Sequence, residues 1–363
     1  MKRNPPDLFL FLVTMALLAI GLIIVSSASA PESLNITHGK TAFLFGFRQL
    51  LFAVVGVVLM LFMMKFPHRN LKKITVPVFL VSLFFLVLVL FIAPAIKGSK
   101  RWITLGFFVF QPSELAKLSV IILLAHYMSE LKKGVTSFWF GVIIPLLLVG
   151  LVCLLILIEP DLGTAMVIFA TFMMMLFVSG ARISHMAILG SIGVGLATML
   201  VIIEPYRAQR LVAFMNPWQD PQGDGWQIIQ SLYALGSGGP FGLGLGMGRQ
   251  KFDYLPEAHT DYIFSILGEE LGLLGTVTVI TLFFLLAWRG YKIAIAVKDP
   301  FAKLLAAGIT SYLIFQAVLN IGVVTSSIPV TGITLPFLSS GGSSLVISLF
   351  SIGILLNISK YAE

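Results

Sequence analysis

The chain has 363 residues, 58% of them hydrophobic and 11% charged, and its mean hydropathy of +1.00 excludes an ordinary soluble domain. One cysteine and five scattered histidines leave no disulfide framework and no zinc motif. The net charge of +8 comes without a basic run interleaved with aromatics, so no nucleic acid is expected as a partner and the charge is read as topology and contact with anionic lipid.

A membrane-crossing helix needs about 20 largely apolar residues. Ten such stretches are expected, near 8–25, 49–64, 74–94, 113–130, 137–157, 162–179, 185–203, 262–288, 303–323 and 343–358. Ala28-Ser29-Ala30 follows the first and mimics a cleavage site, but the apolar run is too long for a leader and reads as a retained helix. Ten spans put both termini on one side. Lys65, Arg69, Lys72, Lys73, Arg289 and Lys292 fall on that side, so the positive-inside rule makes it the cytoplasm. The outer side keeps Lys97, Lys100, Arg101, Arg207, Arg210, Arg249, Lys251 and most of the acidic residues, as though an anionic ligand were handled there. The expected fold is an all-α integral membrane protein, one polytopic domain over 1–363 with a long extracytoplasmic loop at 204–260. That loop exceeds usual connection lengths, which points to function.

Taken in order, Arg101-Trp102 leads to Gln111-Pro112-Ser113-Glu114 and then Lys117. Pro112 suits a helix's first turn and Glu114 its positive end. Lys117 lies a full turn inside an apolar helix, where it either snorkels outward or serves a site. Glu159-Pro160-Asp161-Leu162-Gly163 reads as a tight turn, with carboxylates that hold a cation or pair with Lys117. Arg207 and Arg210 share a face if helical and suit phosphate or lipid head groups. The glycine run 236–248 follows no strand, so nucleotide-loop readings fail; it reads as backbone bending closely around a bulky ligand or re-entering the membrane.

The stretch 251–275 is the centre of the reading. Glu257, Asp261, Ser265 and Glu269 recur every four residues, so a helix would stack them in one stripe. Gly268, Gly272 and Gly275 make a second stripe that admits a neighbouring helix. Carboxylates at a membrane helix are a functional-site hypothesis by default, and Asp261 is the first choice. Farther on, Ser343 or Ser344 is placed to cap the last helix.

RW…G…QPSEL (101–115), PDLGT (160–164), NPWQDPQG-GWQIIQSLYALGSGG (216–239), LPEAHTDYIF (255–264), GEELG (268–272) and TGITLPFLSSGGSSL (331–345) together resemble the SEDS family (shape, elongation, division and sporulation) of bacterial membrane glycosyltransferases, in its FtsW/SpoVE-like branch. Tyr262 stands where that family commonly has Phe. The resemblance implies polymerisation of lipid II, the undecaprenyl-pyrophosphate-linked disaccharide, outside the cytoplasmic membrane. It also implies a class B penicillin-binding protein as transpeptidase partner, alongside other divisome or sporulation membrane proteins. The family's catalytic aspartate falls on Asp261, and its other polar cavity positions on Glu114, Lys117 and Asp161. Arg101, Trp102, Arg207, Arg210, Glu257 and His259 complete the expected substrate-binding set. The chemistry needs one base for the attacking hydroxyl and cations for the departing pyrophosphate: Lys117, Arg207, Arg210 or a divalent ion, Mg2+ or Mn2+. A lipid flippase and a non-catalytic division scaffold are the rival readings.

Overall fold

The computed structural model describes residues 4–94, 99–106 and 108–362; Lys97, named above, lies outside them. The helices are α1 (Leu8–Ala28), α2 (Ala30–Ile36), α3 (Leu44–Lys65), α4 (His68–Lys73), α5 (Thr75–Ile92), α6 (Pro112–Leu131), α7 (Ile144–Ile158, extended at its start by the π-helical Trp139–Ile143), α8 (Leu162–Ser179), α9 (Ile183–Ile203), α10 (Pro205–Met215), α11 (Trp226–Ser237), α12 (Ile263–Ala296), α13 (Pro300–Val324) and α14 (Gly342–Ser359). A two-stranded antiparallel hairpin, β1 (Ile103–Leu105) with β2 (Phe108–Phe110), precedes α6.

Among the described residues nine helices are long and apolar enough to cross a membrane. The tenth expected span is also helical, as α6, but it is more polar and carries buried Glu114 and Lys117 on its first turns. Several helices overrun the expected limits, most of all α12, which continues to Ala296. The part of α12 beyond its kink at Gly272, residues 273–296, reaches roughly 36 Å at about 1.5 Å per residue, enough to cross the ~30 Å of hydrocarbon.

α13 is the hub, lying against α6, α8 and α12, while α14 runs along α3 and α1 packs on α12 and α3. Lipid tails are as apolar as leucine, so such helices associate through close packing and hydrogen bonds. α13 fits that need with Ala306, Ala307 and Gly308 buried beside buried Gln316 and Asn320. α9 is the opposite case, with Leu189 as its one buried residue among those described.

The glycine stripe on α12 meets different neighbours along its length: Gly268 faces Leu235 of α11, whereas Gly272 faces the irregular run that follows α11. Gly272 has φ +67° and kinks α12. The run 238–244 closes on that kink: Leu243 and Gly244 donate to the carbonyls of Glu269 (2.9 Å) and Glu270 (3.0 Å), and Leu273 donates to Gly239 (2.9 Å). A Cβ on Gly242 would stand 2.2 Å from the Glu270 carbonyl oxygen. The close backbone approach expected of this run is made to α12 itself.

Candidate active site

Asp261 is not on a helix. Residues 251–262 form successive turns and α12 begins only at Ile263, so the expected single stripe breaks: Ser265 and Glu269 are helical, Glu257 and Asp261 are not. Glu257 has φ +56°, which interrupts any helix at that point. Its carboxylate accepts from the Thr260 hydroxyl at 2.8 Å.

The turn segment is held from outside by main-chain contacts. Asn320 donates to the carbonyl of Asp261 at 2.7 Å and to that of Ile333 at 2.7 Å. The Ser339 hydroxyl donates to the Thr260 carbonyl at 2.6 Å, and the Ser340 N–H to the His259 carbonyl at 2.9 Å. Gly332 lies directly beside the acid, since a Cβ there would stand 3.6 Å from Asp261 Oδ2. On the other flank Gly163 abuts the same segment, its Cβ position 3.0 Å from the Thr331 carbonyl oxygen. Three parts of the chain far apart in sequence thus meet: the start of α8, the turn carrying Asp261, and the irregular stretch 331–341.

Asp161 caps α8, accepting from the Thr164 N–H (3.0 Å) and hydroxyl (2.9 Å). Arg101 grips the turn before it, donating through Nε to the Glu159 carbonyl at 2.8 Å and through Nη2 to that of Pro160. Glu159 is fully buried, and neither of its carboxyl oxygens has a hydrogen-bond partner among the described residues. Burial first, then Asp161, pushes its carboxyl up to about 8, against the pull of Arg101. Asp261 is half-buried. Burial is again the largest cause, with Glu257 and Asp161 adding to it, and its carboxyl is pushed up to about 7 although Arg101 and Arg210 pull the other way. A carboxylate desolvated among like charges binds its proton more tightly.

Arg207 and Arg210 lie on one helix, α10, with both guanidinium groups over the Tyr206 ring at 5.4 and 5.7 Å. They are not equivalent: Arg207 also turns back to the Leu200 carbonyl, whereas Arg210 bears on Asp261. Lys117 neither snorkels nor pairs with Asp161. It is buried, donating to Glu114 at 2.8 Å and to Gln316 Oε1 at 2.6 Å. Gln316 in turn donates to the Thr334 carbonyl at 2.9 Å, so Glu114 and Lys117 reach the 331–341 stretch through it. His259 is engaged by Glu32 (3.2 Å from Nδ1) and the Phe45 ring, and Trp102 is half-buried just before β1. Ser343 does not cap α14, whose N-cap is Gly341; its hydroxyl joins the hairpin, donating to the Val109 carbonyl at 2.9 Å and accepting from the Gln111 N–H.

The reading from sequence missed Asn320 and Gln316, the residues that tie α13 to both halves of the site. Their only signal is a pair of amides four apart in an apolar helix, one stripe by helical spacing.

The comparisons with known proteins identify the family. The family model covering FtsW, RodA and SpoVE, described as cell cycle protein, matches residues 7–363. Stage V sporulation protein E of Bacillus subtilis (strain 168) is 48% identical over 100% of this chain and 99% of its own length. A probable peptidoglycan glycosyltransferase FtsW of Trichlorobacter lovleyi is 44% identical, over 97% of this chain and 93% of its own. Among solved structures, a chain reported under the heading of structural coordination of polymerization and crosslinking by a peptidoglycan synthase complex superposes with TM-score 0.81 at 30% identity, covering 99% of both chains. The rod shape determining protein RodA of Thermus thermophilus gives TM-score 0.72 at 29% identity, over 99% of this chain and 98% of that one. The chain belongs to the FtsW/RodA/SpoVE family of multi-pass membrane proteins.

Proposed function

We propose that this chain is a peptidoglycan glycosyltransferase that joins lipid II into glycan strands at the outer face of a bacterial cytoplasmic membrane, with Asp261 as general base. The observation that carries the reading is the environment of Asp261, whose carboxyl is raised to about 7 between Glu257, Asp161, Arg101 and Arg210. A base works best when its proton affinity lies near the working pH. The names of the FtsW relatives support the same reaction.

In this scheme the sugar hydroxyl of one lipid II attacks the anomeric carbon of another. Asp261 takes the hydroxyl proton as the new glycosidic bond forms and the bond from the anomeric carbon to pyrophosphate oxygen breaks. The pyrophosphate departs with its electron pair and needs no proton, because cations offset its charge; Arg210 and Arg101 are the cations nearest in influence to Asp261. Direct displacement on an α-linked donor gives a β-linked strand.

Among the described residues no three His, Cys, Asp or Glu side chains converge as a metal-binding group. A magnesium or manganese ion would rest on Asp261, keeping waters and phosphate oxygens as its other ligands, as a hard cation does. Bound there it would supply further charge neutralisation for the pyrophosphate.

A class B penicillin-binding protein is the expected transpeptidase partner; one structural relative comes from a peptidoglycan synthase complex. On this reading both termini lie in the cytoplasm, and a thiol probe applied from outside is expected to label Asp224→Cys and to miss Asn70→Cys. Purified protein with its partner in vesicles holding lipid II tests the function: glycan polymer is expected. Lipid movement across the bilayer without polymer would make the protein a flippase, and neither outcome would make it a scaffold.

A further inference from the structure

The turn segment that carries Asp261 leaves and rejoins the body of the protein at nearly the same place. At its start stands Lys251, and nineteen residues later, on the second turn of α12, stands Glu270. The Lys251 ammonium lies 2.7 Å from Glu270 Oε1, with the lysine side chain 3% exposed and the glutamate 0%. Its other hydrogen bonds go to the Gly246 carbonyl (2.8 Å) and to the Ser27 hydroxyl of α1 (2.9 Å), which itself donates to Glu270 Oε1 at 2.7 Å. Beside it Glu269 accepts the N–H groups of Arg249 (2.7 Å) and Gln250 (3.2 Å). The base of the loop is therefore fastened to the helix that its other end enters.

We propose that Lys251, Glu270 and Ser27 act as positioning residues, a clamp that closes the base of the loop and so fixes the place of Asp261 in the site. The role rests on the reading of Asp261 as the base. Two arguments favour positioning over bulk stability. The clamped loop holds Asp253 and Glu257 at φ +61° and +56°, conformations that persist only where the surroundings over-determine them. A buried ion pair, moreover, gives little net stability compared with a packed apolar pair. What the ammonium adds is directed hydrogen bonding that joins loop, α1 and α12 at one point.

The test compares Lys251→Met, Glu270→Met and the double variant in lipid II polymerisation, with thermal unfolding followed in detergent. Each single variant leaves a buried charge alone and is expected to lose both stability and turnover. The double variant is expected to recover the unfolding temperature but not the turnover. Its kcat should stay lower by on the order of 10- to 100-fold at unchanged KM, the scale for a reacting group displaced by about 1 Å. Wild-type kcat in a stable double variant, or a loss confined to KM, overturns the proposal. Should the double variant not fold, Ser27→Ala, which strands no charge, decides in the same way: reduced kcat at unchanged KM supports the clamp and wild-type kcat removes it. Wild-type protein run alongside separates the two levels of the argument, since absence of polymer there is a failure of the proposed function and not of the clamp.

Discussion

Asn320 holds Asp261 by its backbone. The amide of one donates to the carbonyl of the other at 2.7 Å, while the same nitrogen bonds Ile333 at 2.7 Å. The proposed base is thus placed relative to the hub helix α13 through its main chain, a contact that does not use its carboxylate. Asn320→Leu keeps the volume and removes both donors. Each buried carbonyl left unpaired costs about 1–3 kcal/mol, so the variant is expected to unfold at lower temperature in detergent and to polymerise lipid II poorly even well below that temperature. Unchanged melting and activity would mean that the 331–341 stretch holds Asp261 unaided.

The pH dependence follows from the raised carboxyl. Asp261 acts as base only when ionised, so the rate is expected to climb with pH through about 7 and to level off above it. Arg210 opposes protonation, so Arg210→Gln should move the midpoint to higher pH. The stability effect has a fixed sign. The folded value of about 7 lies above the ordinary aspartate value of 3.8, so the proton's contribution to stability is fully present below 3.8 and is lost as pH rises through about 7. Asp261→Asn should therefore unfold at a higher temperature than wild type at pH 8, with the gap closing as the pH falls. A pH-independent gap would contradict the raised value.

Much of the fold was legible because bilayer physics writes it plainly. The stretch expected at 162–179 is α8, Leu162–Ser179, and the others differ mainly at their ends. The site was legible in part. Asp261, Asp161, Glu114 and Lys117 stand out as charges beside apolar helices, and the geometry joins them through Gln316, Asn320 and residues 331–341. Those joints were hidden because an amide on a helix has no evident purpose until the carbonyl it meets is known, and those carbonyls lie in irregular backbone. The helical stripe through Glu257 and Asp261 failed for a related reason. A spacing of four is compatible with a helix, but left-handed backbone at Asp253 and Glu257 forbids one there.

The buried pair of Lys117 and Glu114 separates two roles. Lys117→Ala strands Glu114 in the interior, at a cost of about 3–5 kcal/mol, and so lowers stability whatever the lysine does in catalysis. Neutralising the partner as well, in Lys117→Met/Glu114→Gln, is expected to restore most of the unfolding temperature. If the lysine also offsets charge on the departing pyrophosphate, polymerisation stays lower by on the order of 10²–10³-fold, as for loss of one preorganised charge contact. Wild-type rates in the stable double variant would assign the pair to structure alone.

The central claim is that Asp261 accepts the proton of the attacking hydroxyl. Asp261→Asn keeps the size and removes the base, while the main-chain bond from Asn320 does not depend on the carboxylate. The deciding measurement is the amount of glycan polymer that purified, folded Asp261→Asn protein makes from lipid II beside wild type, with lipid II binding checked in parallel. The account predicts unchanged binding and a polymerisation rate lower by about 10²–10⁴-fold, the usual cost of losing a general base. Polymer at near the wild-type rate would contradict it and pass the role to another carboxylate, with Glu257 first in line.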